Sequence, residues 1–387
     1  MKILFVLNSL VGGGAEKVFV DMLKNLDYSQ YDIDILLVDE WGVHCEEVRK
    51  IIPYQKIIRH VTTPRLVRWF FGGLSVLKMK FLKYASPGRL HRRYIKGKYD
   101  VEIAYIEGIA TKIVAGCEDP TVMKYAWIHT DMVANPWASE YYRNKREEYD
   151  CYQRIDKVVA VSKLVKESVE QKFGISAQVL YNVLDSRDIL EKAVTGTRRL
   201  QTGSGVSLVS VGTLWRAKGY LRLLQIIGRL LTAGYDLTLH LIGEGEDRST
   251  LEAYIRDHDM QGRVILYGFQ KDPYDLLQQA DAYICSSYVE GFSTTVTEAL
   301  ILGVPVITTD CAGMEELLGS SEYGMIVENS DEGLYQGIKK FLEDEQLRQN
   351  YRDRARARGK EFSIKARIDD LQYMFQEDMA AKVKEDE

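Results

Sequence analysis

Several things are scarce in this 387-residue chain, and each absence removes a class of protein. Its five cysteines (Cys45, Cys117, Cys151, Cys285 and Cys311) are odd in number and form no C-x-x-C pair. That pattern argues against a disulfide framework and for unpaired thiols in a reducing cytoplasm. No His/Cys group has the spacing of zinc ligands, so a metal site is not expected. No segment supplies the roughly 18 consecutive apolar residues of a membrane span. The apolar N-terminal run Ile3–Leu7 stops at Asn8-Ser9, too soon for the core of a leader peptide, and reads as a first buried strand. The glycines never take the G-x-G-x-x-G spacing of a dinucleotide fingerprint. Finally, residues 59–98 contain no Asp or Glu at all.

What is present is a regular alternation of short β-branched runs with helical stretches. In the first half the strand candidates are Ile3–Leu7, Ile33–Val38, Ile57–Val61, Val101–Ile106, Tyr125–Ile128 and Val158–Val161. In the second half they are Leu208–Val211, Leu237–Ile242, Val264–Tyr267, Ala282–Cys285, Val304–Thr308 and Met325–Val327. Several are apolar at consecutive positions, as strands buried on both faces must be. The length and the alternation together predict an α/β chain of two doubly wound, Rossmann-like domains. The link is expected near Asn182–Asp188, and the polar stretch Thr195–Gly205 leads into the second domain. The expected boundaries are 1–183 for the first domain and 184–363 for the second, with a final helix from about 364 onward.

The segment 288–310 carries the most chemistry. A strand ending near Cys285 runs into Gly291-Phe292-Ser293-Thr294-Thr295, a small, hydroxyl-rich loop that opens a helix. Such a loop presents backbone N–H groups and a partial positive charge to an anion. Glu290 precedes the loop, and Glu298 sits early in the helix with its side chain leaning back toward the N-terminus. Carboxylates beside a phosphate repel it unless each has its own partner. Two of them flanking such a loop suit a ligand with hydroxyl pairs on both sides of its phosphates, which describes a nucleotide-sugar. A capped helix with two solvated glutamates is the alternative reading of the spacing alone.

Glu290-Gly291-Phe292, seven residues between the glutamates, Glu298-Ala299-Leu300 and then Gly303-Val304-Pro305-Val306 resemble the donor-site signature of the retaining glycosyltransferases of family 4, enzymes of the GT-B fold. The resemblance implies two Rossmann-like domains facing each other across a cleft, with the final helix returning to the first domain. It gives Glu298 the ribose hydroxyls and Glu290 the sugar hydroxyls. Gly13 and Gly14, in the loop Gly12-Gly13-Gly14-Ala15-Glu16, are expected to face the diphosphate and the sugar. Lys218 resembles the family's diphosphate-neutralising lysine. The arginine that usually accompanies it is replaced by Thr213, and Arg216 is the candidate substitute. His129 takes the place of a residue lining the sugar site, and the strand end Tyr105-Ile106-Glu107-Gly108 borders the acceptor. Gly243 and Phe269 lie in loops that edge the base pocket.

The basic stretch 59–98 holds 11 Lys/Arg interleaved with Trp69, Phe70, Phe71, Phe81 and Tyr84, within a chain of net charge −5. This composition suits an anionic membrane surface, where each basic residue contributes about 1 kcal/mol. The alternative is a helix pair with core aromatics and solvated cations. Nucleic acid is not expected of an acidic chain with pI near 5.8. Asp32-Ile33-Asp34 and Asp257-His258-Asp259 read as surface rather than as metal-binding D-x-D.

The resemblance therefore predicts a metal-independent hexosyltransferase without a cofactor, the nucleotide-sugar being a co-substrate. Its acceptor would be a glycan or lipid-linked saccharide of cell-surface polysaccharide synthesis, and the protein would work in the cytoplasm against the inner membrane face. The other readings are a non-catalytic subunit of the same fold, kept open by Thr213, and a sugar-nucleotide epimerase.

Overall fold

A computed structural model of the chain describes residues 1–59, 76–182, 184–201 and 205–385. The chain divides into two compact units, Met1–Val183 with Lys365–Glu387, and Leu184–Ile364.

The first unit is built on β1 (Lys2–Leu7), β2 (Asp32–Glu40), β3 (Gln55–Arg59), β4 (Val101–Ala104), β5 (Met123–Ile128), β6 (Lys157–Ala160) and β7 (Ala177–Val179). They form one sheet in the order β3-β2-β1-β4-β5-β6-β7, and each neighbouring pair is parallel. Ile3, Phe5, Val6 and Leu7 of β1 are all fully buried, because helices cover both faces of a parallel sheet. The helix Gly14–Asn25 contributes Phe19, whose ring lies 4.8 Å from that of Tyr105 and 5.4 Å from that of Phe5. The last helix, Ile364–Glu385, places Phe375 edge-on to Tyr125 at 5.7 Å. Its Asp378 accepts from the Tyr125 hydroxyl at 2.6 Å and pairs with Lys157 at 2.6 Å. Apolar packing and a partly buried ion pair thus fix that helix to the sheet.

The second unit holds β8 (Val206–Val211), β9 (Leu237–Ile242), β10 (Val264–Gly268), β11 (Ala282–Cys285), β12 (Val306–Thr309) and β13 (Met325–Val327). Their order is β10-β9-β8-β11-β12-β13, again parallel throughout. The helix Tyr220–Thr232 buries Leu223, Leu224, Ile227 and Leu230 against Leu239 and Leu241. The doubly wound α/β class expected from the alternation is therefore found in both units.

Several details differ from expectation. β7 has no counterpart among the strand candidates, since three residues at a sheet edge carry no periodicity. β12 starts at Val306 rather than Val304, because Pro305 has no N–H for a ladder. The first helix starts at Gly14, so Gly14, Ala15 and Glu16 form its first turn.

In each sheet the strand order reverses once, between β1 and β4 and between β8 and β11. Ligands of open α/β sheets bind beyond the carboxyl ends of strands at such reversals. The loops that follow these four strands are where chemistry belongs.

Candidate functional site

In the second unit, β8 delivers Gly212–Gly219 and β11 delivers Ser286–Ser293 to the same sheet edge. After β8 the chain makes a single 3₁₀ turn, Arg216–Lys218, and ends it at Gly219 with φ +66°. A Cβ there would stand 2.2 Å from the Ser286 carbonyl oxygen. Only glycine lets the two loops touch, and it does so where they must come together.

Lys218 Nζ lies 2.6 Å from Glu290 Oε1, and the same oxygen accepts from Ser287 Oγ at 2.5 Å. Burial works against the Lys218 ammonium, but the adjacent Glu290 carboxylate outweighs it and holds the pKa above the ordinary lysine value. The side chain is thus a fixed cation that remains 30% exposed. Gly291, Phe292 and Ser293 are buried, and Thr294 and Thr295 are partly exposed. Ser293 caps the helix Thr294–Ile301, accepting from the Val296 N–H. The hydroxyl of Thr295 accepts from Tyr283 at 3.0 Å. Glu298 is 6% exposed, and Tyr274 donates to its Oε1 at 3.3 Å.

The neighbouring strand ends are closely packed. A Cβ on Gly243 would meet the Gly212 carbonyl oxygen at 1.8 Å, and the Gly243 N–H donates to the Gly268 carbonyl at 2.9 Å. Phe269, next in the chain, is 44% exposed, as is Trp215 at 46%. Thr213 and Arg216 are exposed, and the Arg216 guanidinium has no partner among the described residues. The structure therefore joins Lys218 directly to Glu290 and leaves Arg216 free on the surface.

In the first unit, the carboxyl ends of β1, β4 and β5 share one network. Asn8 donates to the Glu107 carbonyl at 2.8 Å. The Glu107 carboxylate accepts from the His129 N–H at 3.1 Å and from the Thr130 hydroxyl at 2.6 Å. Glu107 is fully buried, and its carboxylate organises the loop after β5. The His129 ring donates through Nε2 to the Tyr105 carbonyl at 2.9 Å, which leaves Nδ1 as a buried acceptor with no partner among the described residues. Burial lowers its pKa to about 4, so the ring is neutral at physiological pH. Gly13 precedes the first helix as an N-cap with no capping side chain. A Cβ on it would lie 2.4 Å from Glu16 Oε2. Burial, reinforced by Glu107, raises the Glu16 pKa to about 7 even though its own backbone N–H lowers it.

Of the basic stretch, residues 60–75, with Arg65, Arg68, Trp69, Phe70 and Phe71, lie outside the described residues. In the remainder Leu82 and Leu90 are fully buried, while Arg92 pairs with Glu118 at 2.9 Å. Phe81 is partly buried, with Arg89 and Arg93 over its ring at 5.5 and 5.6 Å. Val76, Leu77 and Tyr84 are 56%, 64% and 61% exposed, beside the exposed Lys80, Arg89 and Arg93. Part of the stretch is therefore core, and part is an open mixture of apolar and basic groups. Among the described residues no helix is long and apolar enough to cross a membrane. The two D-x-D runs belong to no group that could hold a metal among the described residues; Asp32 and Asp34 each lie 3.6 Å from Lys2 instead.

Residues that the spacing did not reveal are Asn8, Ser287, Arg222, Thr309 and Asn329, all of which hold these loops. The one available signal was Arg222, a charge within the apolar periodicity of Tyr220–Leu230.

Comparison with known proteins agrees with this geometry. Residues 12–187 match the family model described as Glycosyltransferase Family 4, and residues 203–358 match that described as Glycosyl transferases group 1. Between them the two models span most of the chain, which is a glycosyltransferase of the GT-B fold. It is 28% identical over 376 residues to the N-acetylgalactosamine-N,N'-diacetylbacillosaminyl-diphospho-undecaprenol 4-alpha-N-acetylgalactosaminyltransferase of Campylobacter jejuni, covering 95% of this chain and 97% of that protein. A lipopolysaccharide 1,6-galactosyltransferase of Salmonella typhimurium is 30% identical over 173 residues, 43% of this chain and 46% of that protein. The crystal structure of Anabaena HepE in complex with UDP-glucose superposes with a TM-score of 0.75 at 19% identity, covering 97% of this chain and all of that one.

Proposed function

We propose that this glycosyltransferase moves a hexosyl group from a UDP-sugar to a lipid-linked saccharide or glycan, retaining the anomeric configuration and using no metal or other cofactor. The observation that carries the reading is the Lys218–Glu290 pair at 2.6 Å, set at the β8/β11 reversal beside a helix N-terminus. Departure of the nucleoside diphosphate puts negative charge on its terminal phosphate. Lys218 and the N–H groups of Ser293–Thr295 stabilise that charge electrostatically, with the exposed Arg216 as the candidate second cation. Glu290 accepts from sugar hydroxyls and Glu298 from the ribose. The family resemblance suggests attack from the leaving-group face, with the departing phosphate taking the acceptor proton. Gly13 and Gly14 face the diphosphate and the sugar, His129 lines the sugar site, and Gly243 and Phe269 edge the base.

The choice of UDP is supported by HepE, whose structure holds UDP-glucose. The choice of a lipid-diphosphate-linked saccharide is supported by the Campylobacter jejuni enzyme, whose acceptor carries diphospho-undecaprenol. The exposed Val76, Leu77, Tyr84 and their basic neighbours fit peripheral attachment to the cytoplasmic face of a membrane. The experiment is a panel of UDP-, GDP- and ADP-sugars read first by thermal shift, since a ligand that binds the folded state raises its stability. Release of nucleoside diphosphate is then measured with and without a polyprenyl-diphosphate saccharide. Stabilisation by UDP-sugars and acceptor-stimulated UDP release are expected.

Thr213 favours one second reading, a non-catalytic subunit of the same fold. Binding of UDP-sugar with no release of UDP under any condition would select it.

A further inference from the structure

We infer that Arg222 is a positioning residue that sets the Lys218–Glu290 pair from behind the donor loop. The inference rests on the donor reading above and concerns a residue that touches no substrate.

Arg222 lies in the first turn of the helix Tyr220–Thr232 and is 3% exposed. A buried cation normally needs a counter-charge. Here every hydrogen-bond partner is a neutral oxygen. Nε and Nη2 donate to the Ser286 carbonyl at 2.9 and 2.5 Å. Nη2 also reaches the Ser287 carbonyl at 2.8 Å and Asn329 Oδ1 at 3.0 Å. The guanidinium carbon lies 3.9 Å from the centre of the Tyr288 ring. The cation therefore occupies the point where the chain leaves β11. Past Cys285 the ladder has ended, and buried carbonyls there still require donors.

Other groups complete the clamp. Ser287 O also accepts from Thr309 Oγ1 at 2.6 Å and from Cys311 Sγ at 3.3 Å. Asn329 Nδ2 donates to the Tyr288 carbonyl at 2.9 Å. The clamped residues in turn hold both members of the pair. Ser287 Oγ donates to Glu290 at 2.5 Å. Ser286 Oγ donates to the Lys218 carbonyl at 2.8 Å, and the Tyr288 N–H donates to the Ala217 carbonyl at 2.8 Å. One guanidinium thus fixes, through two consecutive serines, the loop that bears Glu290 and the turn that bears Lys218. A lysine cannot replace it, because a point charge cannot span two carbonyls and an amide while stacking on an aromatic ring.

The test uses the full chain and two independent readouts. The first is amine labelling of Lys218 relative to the exposed lysines, which needs no turnover. In wild type Glu290 protects Lys218, and Arg222→Met should raise its labelling about tenfold, with Arg222→Lys restoring little. The second is kinetic: Arg222→Met should lower kcat with UDP-sugar about tenfold or more while UDP affinity changes only about twofold. Glu290→Gln should cost far less in the Arg222→Met background than alone, the non-additivity expected of residues acting as one unit. Additive costs, or unchanged Lys218 labelling in folded protein, would overturn the inference even if stability fell. Should Arg222→Met not fold, Asn329→Ala, at a partly exposed position, carries the same test: unchanged labelling and kcat overturn the clamp. Changed labelling with a wild type that never turns over UDP-sugar would instead sink the donor reading and leave the clamp standing.

Discussion

Lys218 Nζ stands 2.6 Å from Glu290 Oε1 although the two residues belong to different loops, 72 positions apart in the chain. Each answers the other's charge before any donor arrives. On the proposed donor reading, a bound diphosphate would give Lys218 a second anion and free Glu290 to meet sugar hydroxyls. Removing the cation has two consequences. Lys218→Ala should lower kcat/KM by about ten- to a hundredfold, roughly 1.4–2.7 kcal/mol of lost transition-state stabilisation. It also leaves Glu290 without its counter-charge, so adding Glu290→Gln to Lys218→Ala should recover stability but not activity. Steady-state kinetics and thermal unfolding of the two single variants and the double variant check both statements. Wild-type-like transfer by Lys218→Ala would remove it from the mechanism.

Glu298 offers a sharper test of ligand chemistry. Its carboxylate is nearly buried and holds one hydroxyl already, that of Tyr274 at 3.3 Å. A hydrogen bond to a charged group contributes about 1.5–3 kcal/mol. Glu298→Gln should therefore weaken UDP binding by about tenfold or more, as read by calorimetry. The loss should shrink toward nothing for a UDP analogue lacking the ribose hydroxyls. An equal loss for both ligands would assign Glu298 to the loop rather than to the ribose.

The parts that could be read from the chain are those governed by local pattern. β9 spans Leu237–Ile242, as its run of apolar residues predicts, and the loop-to-helix transition at Ser293 follows from its hydroxyl cap. What could not be read depends on contacts between distant positions. Arg222 meets Ser286 across 64 positions and Asn329 across 107, and no periodicity encodes such meetings. Glu107 shows the same limit in reverse. A glutamate at a strand end suggests a ligand, yet the carboxylate of this one is buried and accepts from the His129 N–H and the Thr130 hydroxyl.

Glu16 gives the first unit a pH signature. Burial foremost, with Glu107 adding to it, moves the folded pKa to about 7 from an ordinary 4.5. Between those values the folded state keeps a proton that the unfolded state has lost. Its contribution is thus fully present below about pH 4.5, declines as pH rises through 7, and is absent above. The gap corresponds to stability on the order of 3 kcal/mol. Denaturant unfolding of wild type and Glu16→Gln at pH 5 and pH 8 should show the difference: the wild type loses more stability on going to pH 8 than the variant does. Parallel pH profiles would mean that Glu16 ionises normally.

The surface of residues 76–98 makes the last prediction. Leu82 and Leu90 anchor it to the core, and Val76, Leu77 and Tyr84 stand exposed beside Lys80, Arg89 and Arg93. Apolar insertion alone would be indifferent to salt, whereas attraction to anionic headgroups is screened within about 10 Å at 0.1 M ionic strength. Binding to phosphatidylglycerol vesicles should therefore be salt-sensitive and absent for neutral phosphatidylcholine. Lys80→Glu and Arg89→Glu should each weaken it, by about fivefold for every 1 kcal/mol of headgroup attraction removed. Arg92→Glu places a second carboxylate beside Glu118, so it should perturb the local fold as well as the binding. Salt-independent vesicle binding, or none at all, would return the whole stretch to a structural role.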